Sequence, residues 1–505
     1  MRKIYICICL LLAAAVSCHK ESDKVDNYSY EDSTVFGRAT KSFGEMFKIA
    51  WKGLNANYAL WDYEKENGLD WDDVYKKYYP KFCDLDSLDT VADEDLQKLM
   101  EEAFGPLHDG HLTILFKNYH TKRNVTVSPN LVRVKSERSD EHAIAVRFKP
   151  SLAYYADVPG ELLDYKAANS VIYMGTTFGW VQTQLTALAQ KTVLTEEELR
   201  LQEEYIDIIR NLQQAVNNSD AEALNRIVYK YSHLGIPGLD YVDQNQIDNG
   251  IDVCYALFKG NIAYFSFNSF KLSAYLEDAY FNEVWTNPTQ GALKHIAAVK
   301  EAWNNWFYTI QRLHNEGTLG GVIIDVRTNG GGLTNDYQYV FGALLPSGGF
   351  QPSVSRFKRG TGRYDYSPIM PQYFPTYPYE HVTVTEPIVV LANCRTVSMA
   401  ELTSLTTKCL DNAVLIGTRT FGGLCGLTSN SEYNYNYAGH IGIQNKTPVY
   451  CYTPTLANFT REGQCLDGIG VTPDIEVPFD NEAWAGGTGP DNQLDRALEY
   501  IRTGK

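Results

Sequence analysis

Two stretches of the sequence hold residue types that could carry out nucleophilic chemistry. In Pro387-Ile-Val-Val-Leu-Ala-Asn-Cys-Arg-Thr-Val-Ser-Met-Ala-Glu-Leu402 an apolar strand is expected to turn sharply into a helix that begins near Ser398. A serine at such a turn has its hydroxyl held out from the sheet edge, and the first amides of the helix point at whatever carbonyl it attacks. The same residues, Ser398 to Glu401, also fit the S/T-x-x-E capping box, so an ordinary helix N-cap is the alternative. The second stretch is Asp325-Val-Arg-Thr-Asn-Gly-Gly-Gly332. Three glycines permit positive φ and a close approach to a ligand, so their amides can line an anion-sized hollow. The lysine of a G-x-x-x-x-G-K-[ST] phosphate loop is missing, and a plain turn is the competing reading.

The elements that must hold these stretches can be read from periodicity. Asn261 to Phe270 reads as a strand, Ala292 to Leu313 as a long amphipathic helix, and Gly320 to Val326 as a buried strand. Strand, helix, strand is a crossover unit, and Pro387 to Leu391, the helix from Ser398 to about Leu410 and Ala413 to Gly417 form another. The C-terminal half is therefore expected to be α/β. Upstream, Phe43, Phe47, Trp51, Leu54 and Tyr58 follow helical spacing, and Asp70 opens a second helix with acidic residues in its first turn. A third, Asp93 to Leu107, carries Leu96, Leu99, Met100, Ala103 and Phe104 on one face and runs into Pro106-Leu-His-Asp-Gly-His111.

Asn124 to Phe148 has three short alternating runs (Val125, Val127; Val132, Val134; Ile144, Val146, Phe148), expected to be a small β-rich module. A PDZ domain could stand there, but its Gly-Leu-Gly-like carboxylate loop is not visible. Two helices should follow, opening on the capping boxes Thr195-x-x-Glu198 and Ser219-x-x-Glu222. Gly235 to Gly250 reads as a boundary loop, and Asp491 to Thr503 as a closing amphipathic helix through Leu494, Ala497, Leu498 and Ile501.

With 505 residues, 44% of them hydrophobic, the chain can bury substantial cores in two or three domains. Met1 to Ser17 has a basic start and a 13-residue apolar run, Ile4 to Val16, too short to span a bilayer, so it reads as an export signal. Its end, Ala14-Ala-Val-Ser-Cys18, resembles a bacterial lipobox, which makes Cys18 the lipidated first residue of the mature chain. Acidic Glu21 and Asp23 just after it resemble the surface-export signals of Bacteroidetes-type lipoproteins. An exported lipoprotein at the periplasmic face or surface of the outer membrane is expected, tethered by its lipid alone. Without residues 1–17 there remain 43 basic against 61 acidic side chains, a charge of −18 that argues against a nucleic-acid partner. Seven cysteines follow Cys18, and Cys425, Cys451 and Cys465 could supply a disulfide. There is no C-x-x-C or H-E-x-x-H, so neither metal nor cofactor is expected.

Residues 261 to 480 resemble the C-terminal processing (tail-specific) peptidases and the tricorn-protease core. The resemblance lies in Ile262-Ala-Tyr-Phe-Ser-Phe267, Val322 to Gly332, Thr396-Val-Ser-Met-Ala-Glu401, Ile416-Gly-Thr-Arg-Thr-Phe-Gly422 and Gly468-Ile-Gly-Val-Thr-Pro-Asp474, in that order. It implies a core of ββα units related to crotonases and Clp-type peptidases, with Ser398 as nucleophile and an oxyanion hole from Gly331 and the amide of Met399. The processing branch places a lysine base after the Thr-Phe pair, but Gly423 stands there, and Lys408, ten residues beyond Ser398, should point to another face. The tricorn-like branch uses Ser, His and Glu instead, its histidine in a turn like Leu107-His-Asp-Gly-His-Leu-Thr113. By that resemblance His111 is the general base, as imidazole can take the serine proton at neutral pH, and His108 is the weaker candidate. The acid falls at Asp467, one methylene shorter than the tricorn glutamate, with Glu462 as the alternative. Gly110 stands where tricorn carries a serine.

The expected fold class is α/β: a ββα-unit catalytic core with an N-terminal helical domain and a mixed middle region. Its expected divisions are signal peptide 1–17, tether 18–40, helical domain 41–120, middle region 121–255, core 256–480 and C-terminal helix 481–505. The expected activity is a serine peptidase on peptides or unfolded polypeptide, which would add as a strand beside the core sheet. A binding protein on the same fold for a lipophile or glycan, or a small-ester hydrolase, are the alternatives.

Overall fold

The computed structural model describes residues 39–168, 171–191, 193–217, 250–285, 290–359, 362–427, 440–442 and 446–504, with positions 227, 230, 231, 234, 236 and 288. The signal segment, Cys18, the Ser219 capping box and most of the 235–250 loop lie outside the described residues. The chain divides into two compact units, each drawn from three separate stretches. One comprises Met1–Val146, Gln351–Tyr373 and Arg419–Thr472, and the other Arg147–Phe350, Phe374–Thr418 and Pro473–Lys505.

The second unit is built on a seven-stranded sheet. Its order is Ile475–Glu476, Ala413–Gly417, Ile388–Ala392, Gly321–Asp325, Ile262–Phe267, Val253–Phe258, Leu162–Ala168. The first five run parallel and the last two join antiparallel. Every residue of Gly321–Asp325, Ile388–Ala392 and Ile262–Phe267 is buried, as parallel strands covered on both faces require. Both expected crossover units are present, through the helices Gln290–Asn315 and Met399–Thr407. The closing helix Asn492–Thr503 buries Leu494, Ala497 and Leu498 and is capped by Asp491, whose carboxylate accepts from Gln493 N and Leu494 N at 3.1 Å each. The capping box at Thr195 has both arms: Thr195 N to Glu198 Oε2 at 2.9 Å and Glu198 N to Thr195 Oγ1 at 3.2 Å.

The first unit opens with the expected helices, Phe43–Asn57, Trp71–Leu85 and Asp93–Phe104, with the short Trp61–Glu66 between them. Ser42 and Asp70 cap the first and second through their own side chains. Phe43, Phe47, Leu54, Phe82, Leu96, Met100 and Phe104 fill one core. That core also takes Ile114 and Phe116 from the strand Thr113–Lys117, which pairs on one side with Asn124–Val127 and on the other with Val449–Tyr452.

The β-rich expectation for 124–148 holds only for its first run, since Pro129–Glu137 and Ser139–Arg147 are helices. Pro129 takes the first helical position, where its fixed φ suits and its missing N–H is not needed, and Asp140 and Glu141 occupy the first turn of the next helix. Alternations of three to five residues are too short to outweigh those signals. The cysteines that could have supplied a disulfide, Cys425, Cys451 and Cys465, are thiols, as are the other four described cysteines.

Candidate active site

In the second unit, Ser398 begins the helix Met399–Thr407 immediately after the buried strand Ile388–Ala392 and its turn. Its backbone stands at φ 60, ψ −122. An N-cap is ordinarily in the β region, whereas this conformation costs a non-glycine residue about 1–3 kcal/mol and makes a strained strand-to-helix corner. Several bonds fix the corner. Thr396 Oγ1 donates to Val326 O at 2.9 Å, Val397 N to Asn329 O at 3.1 Å, and Ser398 N to Glu401 Oε2 at 3.2 Å. The first two tie the serine turn to the glycine-rich loop, and the third is one arm of the capping box foreseen in the sequence.

Gly331 lies against Ser398. A Cβ there would come 2.6 Å from Ser398 Cβ and 3.0 Å from Met399 N, and its φ is +95. No other residue fits, and the loop amides approach the serine closely as a result. Of the two amides assigned to an oxyanion hole, Met399 N–H is the first of its helix and has no carbonyl one turn back. Gly331 N–H is taken up by Asn329 Oδ1 at 2.8 Å. Asn329 is fully buried and also donates to Phe267 O at 3.0 Å. Lys408 points away, as its spacing implied, and pairs with Asp474 at 2.5 Å.

The first unit holds the histidine turn, and there sequence reasoning missed most of the supporting groups. Asp109 is fully buried, and its Oδ1 accepts from His111 N at 2.7 Å and Leu112 N at 3.0 Å. Glu64, also buried, accepts at Oε1 from His108 N at 2.8 Å and from the Tyr58 hydroxyl, while its Oε2 meets His108 Nδ1 at 2.7 Å. Asp109 could be found in the Asp-Gly-His triplet, but Glu64 and Tyr58 carry no local signal. Gly110 is required by packing, since a Cβ there would fall on Gly422 O and Gly423 Cα. The serine that tricorn carries at this point has no room, and neither does a larger residue.

Asp467, fully buried, accepts from Gly110 N at 3.4 Å and from Cys425 N at 3.1 Å. His111 Nδ1 is buried with no hydrogen-bond partner, so Asp467 does not grip the imidazole there. Glu462 is exposed. Burial lowers His111 to about 4 and raises Asp467 to about 6, while burial and then the neighbouring Asp467 push Asp109 well above the carboxylate range. No cluster suited to a metal ion occurs among the described residues, and none of their helices is long and apolar enough to cross a membrane.

Residues 262–477 match the model of peptidase family S41. The tricorn protease of Thermoplasma volcanium is 26% identical over 197 residues, 39% of this chain and 16% of that protein. The carboxy-terminal-processing protease of Bartonella bacilliformis is 28% identical over 159 residues, 32% of this chain and 31% of that one. The chain thus spans less than a third of these relatives' lengths. The crystal structure of mature CPAF in complex with lactacystin aligns with a TM-score of 0.44 at 14% identity, over 94% of this chain and 100% of that one.

Proposed function

We propose, from the match of residues 262–477 to peptidase family S41, that the protein is a serine peptidase acting on peptides or unfolded polypeptide, with Ser398 as nucleophile, on a ββα core of the crotonase and Clp-peptidase kind. The observation that carries this reading is the strained corner at Ser398, φ 60 and ψ −122, with Gly331 packed against it. Such strain persists only where the surroundings over-determine it, and an ordinary cap has no use for it. In the tricorn-like Ser-His-acid scheme, His111 accepts the Ser398 proton as Oγ attacks the scissile carbonyl and returns it to the departing amine. Asp467 is the buried carboxylate of that scheme. Met399 N–H faces the developing oxyanion, joined by Gly331 N–H once Asn329 releases it. The mature chain is anchored through lipidated Cys18 at the outer membrane.

One pair of observations favours a second reading, a binding protein on this fold: Gly331 N–H is engaged and His111 Nδ1 has no orienting partner. A serine-directed fluorophosphonate separates the two. The parent should be labelled, and Ser398→Ala and His111→Ala should not be. An unlabelled parent sinks the peptidase reading.

The pH profile gives a further check. A base works only when unprotonated, so with His111 held near 4 the acid limb of kcat/KM should lie near pH 4 and not near imidazole's usual value of about 6.5. The same shift lowers stability as pH falls from about 6.5 to 4, because the unfolded chain then binds a proton that the folded one does not. A limb at about 6.5 contradicts a buried base.

A further inference from the structure

Five successive amides in the histidine turn each donate to a buried side-chain oxygen. His108 N reaches Glu64 Oε1 at 2.8 Å and Tyr58 Oη at 3.2 Å, and Asp109 N reaches Tyr58 Oη at 3.1 Å. Gly110 N reaches Asp467 Oδ1 at 3.4 Å, and His111 N and Leu112 N both reach Asp109 Oδ1. The four acceptor residues, Tyr58, Glu64, Asp109 and Asp467, have no exposed surface. Turn amides normally meet water or backbone carbonyls, and this turn is held at every step by side chains, three of them from elsewhere in its unit and one, Asp109, its own. The imidazole of His111 has the opposite character, with its Nδ1 buried and unbonded.

We propose that the base is oriented by its backbone, and that Asp467 is a positioning residue acting through the Gly110 and Cys425 amides, not the ionic partner of the His111 ring. This rests on the reading of His111 as the base. Asp467 grips the turn from the side of the 422–425 loop, and Asp109 grips it from within. Both jobs call for an acceptor oxygen and neither calls for a charge. The direction of the Asp109 shift agrees, since a carboxyl kept protonated by burial still offers its carbonyl oxygen. Thr453 Oγ1, 3.4 Å from Asp109 Oδ2, completes the surroundings of that carboxyl. Gly110 belongs to the same device, because the absence of a side chain lets the turn lie against Gly422 and Gly423.

An amide in place of the carboxylate distinguishes the two roles. Asp467→Asn keeps the acceptor, so kcat should fall no more than about fivefold, the worth of weakening one or two hydrogen bonds. Asp467→Ala removes it, and kcat should fall about 100-fold with KM unchanged, the loss expected of a slightly misplaced base. The independent readout is the His111 imidazole titration, followed by NMR with 15N-histidine in the full chain, which should be the same in the parent and in Asp467→Asn. If Asp467→Asn instead costs about 10⁴-fold in kcat, or the His111 midpoint drops by about one unit or more, the carboxylate acts on the ring and the proposal is overturned. Should Asp467→Ala fail to fold, Asp467→Asn and the titration still decide. Should the parent show no turnover, the peptidase reading fails, and the titration alone upholds or overturns the backbone role.

Discussion

Replacing Ser398 by alanine or by glycine should abolish peptide hydrolysis equally, by about 10⁵–10⁶-fold in kcat, while the two variants differ in stability. Both lack the nucleophile. They differ because alanine must still hold φ 60, ψ −122, a conformation that only glycine adopts without strain. The glycine variant should therefore be the more stable of the two by about 1 kcal/mol, allowing for glycine's extra freedom in the unfolded chain. Urea unfolding of both proteins, beside turnover of a fluorogenic peptide, measures the two effects separately. Equal stabilities would mean that the corner relaxes when its hydroxyl is gone. Retained turnover in either variant would remove Ser398 from the chemistry.

The second large effect is expected at a residue with no part in the proposed chemistry. Arg327 is fully buried between two carboxylates. Its Nε and one terminal nitrogen donate to Asp325 at 2.9 and 2.6 Å, and its terminal nitrogens donate to Asp491 at 2.9 and 2.7 Å and to Gln493 Oε1 at 3.0 Å. Phe148 lies across the guanidinium with its ring centre 4.4 Å from Cζ. The side chain of Arg327, two residues before Asn329, thus joins the end of the strand Gly321–Asp325 to the cap of the closing helix. Arg327→Ala strands two buried carboxylates beside each other, so the unit should lose about 3–5 kcal/mol in chemical unfolding. Arg327→Lys should recover only part of that, because an ammonium cannot make the paired fork to both acids. Replacing all three charged residues by apolar ones of similar volume should cost far less than Arg327→Ala. If Arg327→Ala loses under about 1 kcal/mol, the charges are not carrying the joint.

The sequence was legible where the controlling interactions are short-range. Helices such as Phe43–Asn57 and Asn492–Thr503 follow from apolar spacing and a capping side chain within three residues. The parallel strands follow from uninterrupted apolar runs between turn signals. The 129–147 stretch was misjudged because an alternation of three to five residues occurs in either element, and the proline and acidic first turn decide instead. Ser398 was legible as a serine at a strand-to-helix turn. Its positive φ was not, since the ties to Val326 and Asn329 lie about 70 residues away. Around His111 the gap is wider. Tyr58 and Glu64 precede it by about 50 residues and Asp467 follows by more than 350, with no periodicity linking them. The resemblance pointed to Asp467, but nothing in the sequence says that it holds the Gly110 and Cys425 amides.

The strand that follows the histidine turn has a consequence for the chain during synthesis. Thr113–Lys117 has one neighbour close in sequence, Asn124–Val127, and its other, Val449–Tyr452, pairs Thr113 with Tyr452. At a ribosomal pace of about 5–20 residues per second, roughly 340 residues separate the two partners by about 20–70 s. For that interval the nascent chain carries an unpaired edge through Ile114 and Phe116, both apolar and both wholly covered in the finished protein. The upstream helices Phe43–Asn57 and Trp71–Leu85, capped by Ser42 and Asp70, can form early, but the histidine turn cannot close until Asp467 arrives. Any fragment released before then leaves with that edge open, so premature termination yields a chain disposed to aggregate and lacking the Asp467 contact to the Gly110 amide of the histidine turn.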